Sequence, residues 1–252
     1  NKQNHKTPDI YHIYGHKMII QDAVIAITGG AQGLGKAMAL GLAKKGANLA
    51  LIDMNQEHLT QTQAECEALG IQARTYLCDV SVESMVENTF QKILVHFGKL
   101  DGLINNAGIY RSGSFSSVNK DSWVESFVTN TIGPYEVIEN FLPNVLQGLE
   151  KKIVSITSKM GSIDDNSTGG SYIYRSSKTA LNSMMKSLTQ DLKIHDISTV
   201  TLHPGWVRTD MGGPGGWIDV KESVSGMIDQ ISNLSLQNTG QYIDYAGKLI
   251  KW

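Results

Sequence analysis

Cysteine is almost absent from this chain: Cys66 and Cys78 are the only two in 252 residues. Two thiols exclude a disulfide framework and a cysteine-based zinc cluster, and they fit a reducing cytosol. No apolar run approaches the length of a membrane span, and the N-terminus lacks the apolar core of a signal peptide. Charge of one sign is not in excess either. Lys and Arg total 22 against 24 Asp and Glu, a net charge of -2 without the clustered basic face of a nucleic-acid binder. The middle of the chain has no Pro/Gly/Ser-rich linker, so its length reads as one domain with a substantial core. These absences leave a cytoplasmic protein whose partner is a small molecule, not a nucleic acid or a membrane.

The first seventeen residues, Asn1 to Lys17, form a polar arm with His5, His12 and His16. His12 and His16 stand four apart, so a helix could bring them together as metal ligands. No further ligands cluster nearby, and the arm is read as a leader with no metal site. From Val24 onward, apolar strands and amphipathic helices alternate, the pattern of a parallel sheet covered on both faces. Val24–Thr28 and Asn48–Asp53 read as the first two strands, and Ser198–His203 as the sixth. A long helix is expected from about Asp121, with Pro143 ending or bending it. The fold class is α/β: a Rossmann-like, doubly wound parallel sheet of about seven strands in a single domain over 18–252. Ligands of such a sheet lie at the carboxyl ends of its strands.

The segment Thr28-Gly29-Gly30-Ala31-Gln32-Gly33-Leu34-Gly35 joins the first strand to its helix. A pyrophosphate needs free backbone N–H groups and a helix N-terminus, and a side chain at the closest approach would block it. The strand–turn–helix context therefore makes the glycines a dinucleotide cradle. Asp53 ends the second strand, where a carboxylate accepts hydrogen bonds from the adenosine ribose and repels a 2'-phosphate. Met54, Asn55 and Gln56 follow it, with no basic residue among them. Lys36 reads as a helix-face charge and not a phosphate ligand. NAD(H) is therefore expected over NADP(H). Asp79 and Val80, after the third strand, border the adenine or simply cap the next helix.

Tyr174 and Lys178 lie four apart on one helix face, and Ser158 follows the fifth strand. A free phenol, with a pKa of about 10, is a poor acid–base catalyst at neutral pH. A nearby ammonium favours the phenolate, so Lys178 is expected to lower that value. Tyr174 can then protonate a carbonyl oxygen as hydride arrives, or deprotonate an alcohol in reverse. Ser158 would steady the same oxygen. Thr157 and Ser155 are disfavoured for that role by strand alternation and depth. Tyr172 is six residues from Lys178 and off its face. His203 reads as a packing residue at a strand end.

With these residues in place, the chain resembles the short-chain dehydrogenase/reductase family over nearly all of Met18 to Trp252. The likeness rests on Thr28-Gly29-x-x-x-Gly33-x-Gly35, Asp79, Asn105-Asn106-Ala107-Gly108, Asn130, Ser158, Tyr174-x-x-x-Lys178 and Pro204-Gly205. It implies that Asn130 joins Ser158, Tyr174 and Lys178 in catalysis by positioning a water in a proton relay. Lys178 would also hold the nicotinamide ribose. Asn106, Ala107 and Gly108 would shape the cofactor loop, and Val207 and Thr209, after Pro204-Gly205, would meet the nicotinamide carboxamide. The part before about Ile109 is similar to 3-oxoacyl-carrier-protein reductase-like members. The later part resembles the C-factor/carbonyl reductase-like subgroup, through Asn130-Thr131-Ile132-Gly133-Pro134 and His203-Pro204-Gly205-Trp206. A chimera joined near 105–110 is one expectation from this split.

An NAD-dependent carbonyl reductase or alcohol dehydrogenase is the leading expectation, with a small or medium carbonyl or alcohol as substrate. Trp206, Met211 and Trp217 suggest an apolar wall for it. The alternatives are a nonredox epimerase or dehydratase of the same family, and an NAD(H)-binding signalling or redox-sensing protein with little turnover. The resemblance also implies a homo-oligomer, dimer or tetramer.

Overall fold

The computed structural model describes residues 17–252; His5, His12 and His16 lie outside them. Seven strands pair in parallel: β1 (Val24–Thr28), β2 (Asn48–Asp53), β3 (Ala73–Leu77), β4 (Gly102–Asn105), β5 (Lys152–Ile156), β6 (Ser198–His203) and β7 (Gln241–Asp244). Their order is β3-β2-β1-β4-β5-β6-β7. The helices between them are α1 (Gly33–Ala43), α2 (Gln56–Glu67), α3 (Glu83–Phe97), α4 (Lys120–Phe127), α5 (Gly133–Gln147), α6 (Tyr172–Leu192) and α7 (Val220–Asn233). The expected doubly wound α/β sheet is therefore what the chain forms.

Alternation along the strands decides which face each side chain serves. Ile25 and Ile27 of β1, with Leu49 and Leu51 of β2, pack against Met38, Leu42, Leu59, Met227 and Ile228 from α1, α2 and α7. Val24, Ala26, Ala50 and Ile52 point the other way, onto Val86, Ile93, Val137, Phe141, Leu181 and Met185 from α3, α5 and α6. Every residue of β1 is buried, as a strand covered on both faces requires. Each fully buried aliphatic side chain contributes about 1.5–3 kcal/mol relative to exposure. The two cores hold β1 and β4 side by side where the strand order reverses, the point at whose carboxyl ends sheets of this kind bind their ligands.

Pro143 does not end its helix. It sits inside α5, which runs on to Gln147. Pro143 and Glu139 are both exposed, so the carbonyl that loses its partner faces water. The irregularity lies upstream instead, where Val128–Ile132 forms a π turn between α4 and α5. Asn130 is the buried residue of that turn. Among the described residues, no helix is long and apolar enough to cross a membrane.

Candidate active site

The glycine turn after β1 is shaped by contacts that leave no room for side chains. Gly29 has φ +65°, a left-handed value, and a Cβ there would stand 2.9 Å from Asn106 Nδ2. A Cβ on Gly35 would overlap the Gly29 carbonyl oxygen. Gln32 is the N-cap of α1 but makes no side-chain cap, and the first turn carries no carboxylate. The N-terminal N–H groups of α1, around Gly33, Leu34 and Gly35, are thus kept for an anion. The cradle fits a dinucleotide pyrophosphate.

A knot of hydrogen bonds fixes this turn to the end of β4. The Thr28 hydroxyl accepts from the N–H groups of Asn106 (3.0 Å) and Ala107 (3.1 Å). Asn106 Nδ2 donates back to the carbonyls of Thr28 and Gly29, both at 3.1 Å. Asn106 therefore ties strand end to cofactor loop as expected. Asn105 does not: its buried side-chain amide has no partner.

Asp53 lies at the end of β2, where its carboxylate accepts from the N–H groups of Ala31 (3.0 Å) and Asn55 (3.1 Å). These bonds aim the carboxylate while leaving lone pairs for ribose hydroxyls. Lys36 is turned away, in a 2.8 Å ion pair with Glu65 of α2. Gln32 meets His58 across the turn at 3.1 Å. Asp79 forms an Asx turn with Ser81, and Val80 is buried. On the far side, Pro204 accepts from the Ser223 hydroxyl, and Gly205 takes φ +85°. Val207 is buried, and the Thr209 hydroxyl accepts the Gly212 N–H (3.1 Å) in a turn rather than at a helix start.

Ser158, Tyr174, Lys178 and Asn130 come together at the carboxyl end of β5. Tyr174 and Lys178 are both buried on the inner face of α6. Lys178 Nζ lies 5.9 Å from the Tyr174 ring centre and donates to the Ile156 carbonyl at 3.1 Å. Asn130 Oδ1 accepts from Ile109 N–H (2.8 Å), while its Nδ2 donates to the Ile109 carbonyl (2.9 Å) and the Ser177 hydroxyl (3.1 Å). A Cβ added to Gly108 would meet both Asn130 Oδ1 (3.1 Å) and Lys178 Nζ (3.4 Å). The missing side chain of Gly108 is what lets these two groups come up against the backbone after β4.

The electrostatics correct one expectation. Burial pushes the Tyr174 phenol up to about 12, and interaction with the Ser158 hydroxyl partly offsets the rise. Lys178 is not what lowers it; burial instead pulls the ammonium down to about 8. Desolvation of both groups outweighs their mutual attraction.

The rival residues are occupied elsewhere. The Thr157 hydroxyl donates to Asn182 Oδ1 at 2.7 Å, and Ser155 Oγ contacts Met185 Sδ at 3.1 Å. Tyr172 is exposed and packs on Phe115. Burial pulls the His203 imidazole down to about 4, a packing residue's environment. Asn182 and Ser177 were not singled out from the sequence. Asn182 also reaches the Gly161 carbonyl (3.3 Å) and so braces the turn after Ser158. Its signal was the four-residue ladder Tyr174, Lys178, Asn182 along one helix face.

Aromatic side chains border this end of the sheet. The Tyr110 ring lies 4.9 Å from that of Tyr174, and Trp206 pairs with Trp217 at 5.3 Å after β6. Trp217 is 80% exposed, so core packing does not explain it.

A family model for short chain dehydrogenases matches residues 23–215. The chain is 40% identical over 158 residues to the C-signal of Myxococcus xanthus, covering 62% of this chain and 94% of that protein. It is 32% identical over 190 residues to a 3-oxoacyl-[acyl-carrier-protein] reductase of Homo sapiens, covering 75% and 78%. A carbonyl reductase from chicken fatty liver, solved with NADPH bound, matches with a TM-score of 0.85 at 28% identity, covering 92% of this chain and 100% of that one.

Proposed function

The chain belongs to the short-chain dehydrogenase family, and from that premise we propose that it is an NAD(H)-dependent oxidoreductase acting on a small or medium carbonyl or alcohol. The observation that carries this is that Ser158, Tyr174 and Lys178 lie together and that Lys178 and Asn130 flank Gly108, two residues beyond the Asn106 that ties down the glycine cradle. The α1 N-terminus would hold the pyrophosphate, Asp53 the adenosine ribose, Lys178 the nicotinamide ribose, and Val207 and Thr209 the carboxamide. When bound, the nicotinamide supplies or accepts the hydride at the substrate carbon. Tyr174 gives its proton to the carbonyl oxygen, and the Ser158 hydroxyl donates a hydrogen bond to that oxygen as negative charge develops. Lys178 then passes a proton back towards Tyr174 along a water that Asn130 orients. A phenol held at about 12 is fully protonated at neutral pH, which favours carbonyl reduction over alcohol oxidation there.

The choice of NAD rests on Asp53, on the absence of a basic residue in the three positions after it, and on the pairing of Lys36 with Glu65. The chicken carbonyl reductase binds NADPH, so the cofactor is decided by kinetics: NADH should be oxidised in preference to NADPH with a ketone or aldehyde panel. Preference for NADPH would remove the Asp53 reasoning and leave the enzyme. A homo-oligomer through α4, α5 and α6 and a join between two ancestral halves near 105–110 belong to the same proposal. A second reading, an NAD(H)-binding signalling protein with little turnover, is favoured by the likeness to C-signal. Tight NADH binding without oxidation by any carbonyl would select it.

A further inference from the structure

Ser158 is held from behind by parts of the chain far from the family's catalytic motif. The Tyr242 hydroxyl, on β7, donates to the Ser158 carbonyl oxygen at 2.6 Å. Tyr242 is 1% exposed, a large aromatic residue buried completely, and its hydroxyl also interacts with the Asn182 side chain on α6. After β7 the chain reverses at Gly247 (φ +83°) and runs back antiparallel, with Ile243 opposite Leu249. That return brings Trp252 onto the Tyr242 ring, with centroids 5.3 Å apart. Lys186, two turns beyond Lys178 on α6, lies over the Trp252 ring at 5.3 Å. The same segment reaches the loop after Ser158: the Lys251 carbonyl accepts from the Ser162 hydroxyl (2.6 Å), and the Trp252 carbonyl accepts from Asp164 N–H (3.1 Å).

The Ser158 turn is thus gripped on both sides. Its own hydroxyl accepts from Met160 N–H at 3.2 Å, which orients the side chain within the short helical turn Lys159–Gly161. The hydrogen of that hydroxyl is directed to the Tyr174 phenol oxygen, beside which a substrate oxygen would sit. Anchoring the peptide carbonyl and the following loop fixes where the hydroxyl can be.

We propose that Tyr242, backed by Trp252, is a positioning residue that sets Ser158 against Tyr174 for the chemical step. This rests on the catalytic reading of Ser158 and Tyr174 above. Removing the Tyr242 hydroxyl frees the Ser158 peptide to tilt, and small misplacements of a reacting group cost rate steeply. The groups facing Tyr174 are Lys178 on its own helix, Tyr110 from the loop after β4, Ser158 after β5 and Tyr242 on β7. Of these, Ser158 is the one that draws the phenol downward. A loosened Ser158 therefore raises the pH that alcohol oxidation requires, which loss of stability alone would not do.

The test compares Tyr242→Phe, Trp252→Ala and Trp252→Phe with the unaltered protein and with Tyr174→Phe, using NADH and whichever carbonyl turns over. The expected result is a fall in kcat of about tenfold for Tyr242→Phe with the KM for NADH unchanged. The rising limb of alcohol oxidation should move to higher pH, Trp252→Ala should follow in the same direction, and Trp252→Phe should recover. Should Tyr242→Phe fail to fold, Trp252→Ala decides by the same readouts. Turnover abolished in Tyr174→Phe but full, with an unmoved pH limb, in both Tyr242→Phe and Trp252→Ala overturns the positioning role alone. Turnover that survives Tyr174→Phe overturns the catalytic reading and the positioning role with it.

Discussion

Replacing Thr28 by Val is a sharp test of how the fold builds the cofactor cradle. Thr28 is 2% exposed, and its hydroxyl accepts two backbone N–H groups, from Asn106 at 3.0 Å and Ala107 at 3.1 Å. Valine has nearly the same shape, so no cavity forms and strand propensity is kept. What changes is that two N–H groups at the β1–β4 join lose their acceptor. A buried donor left unsatisfied costs about 1–3 kcal/mol, which gives about 2–4 kcal/mol for the pair after some relaxation. For a domain of this size that corresponds to a fall in Tm on the order of 5–12 °C. Thr28→Ser keeps the acceptor and should lose about 1 kcal/mol, from the missing methyl. The assay is the urea midpoint at constant slope, together with a titration of NADH fluorescence. NADH affinity should weaken in Thr28→Val because Gly29 and Ala107 flank the knot. A Thr28→Val protein within about 0.5 kcal/mol of the original, or a Thr28→Ser protein equally damaged, would refute the reasoning.

Lys178→Met should abolish turnover yet stabilise the protein. The ammonium sits at about 8 in the folded chain against an ordinary 10.5, so below pH 8 the fold carries a buried charge at a cost. That penalty is relieved as pH rises towards 10.5, because the unfolded chain then binds more protons. A gain of about 1–3 kcal/mol at pH 7, net of the lost bond to Ile156, should therefore vanish near pH 10.5 in parallel urea series. In the reductive direction, activity should hold through neutral pH and decline above about 8 as Lys178 loses its proton, while Tyr174 stays protonated. A decline already complete by pH 6 would contradict that assignment. Asp53→Ala should lower the NADH-to-NADPH ratio of kcat/KM by about tenfold or more, since it removes both the ribose acceptor and the repulsion of a 2'-phosphate.

Much of this was legible in the chain because the signals are local. β1 is apolar from Val24 to Ile27 and runs straight into the glycine turn, and Tyr174 and Lys178 share a helix face through their four-residue spacing. The cradle was therefore visible. Contacts between distant segments were not. Tyr242 and Ser158 are 84 positions apart, and no periodicity links them. That the helix runs on past Pro143 was not legible either, because it depends on whether the freed carbonyl meets water, which is a tertiary fact. The Tyr174 phenol misled for a related reason: the sequence places a cation four residues away but does not reveal how completely both groups are buried.

The most direct measurement follows nicotinamide absorbance over time for the protein and its Tyr174→Phe variant, each with NADH and a panel of ketones and aldehydes. Steady NADH oxidation by at least one carbonyl, lost in Tyr174→Phe while NADH binding persists, is the predicted result. Oxidation that proceeds equally well without the Tyr174 hydroxyl would contradict the central claim.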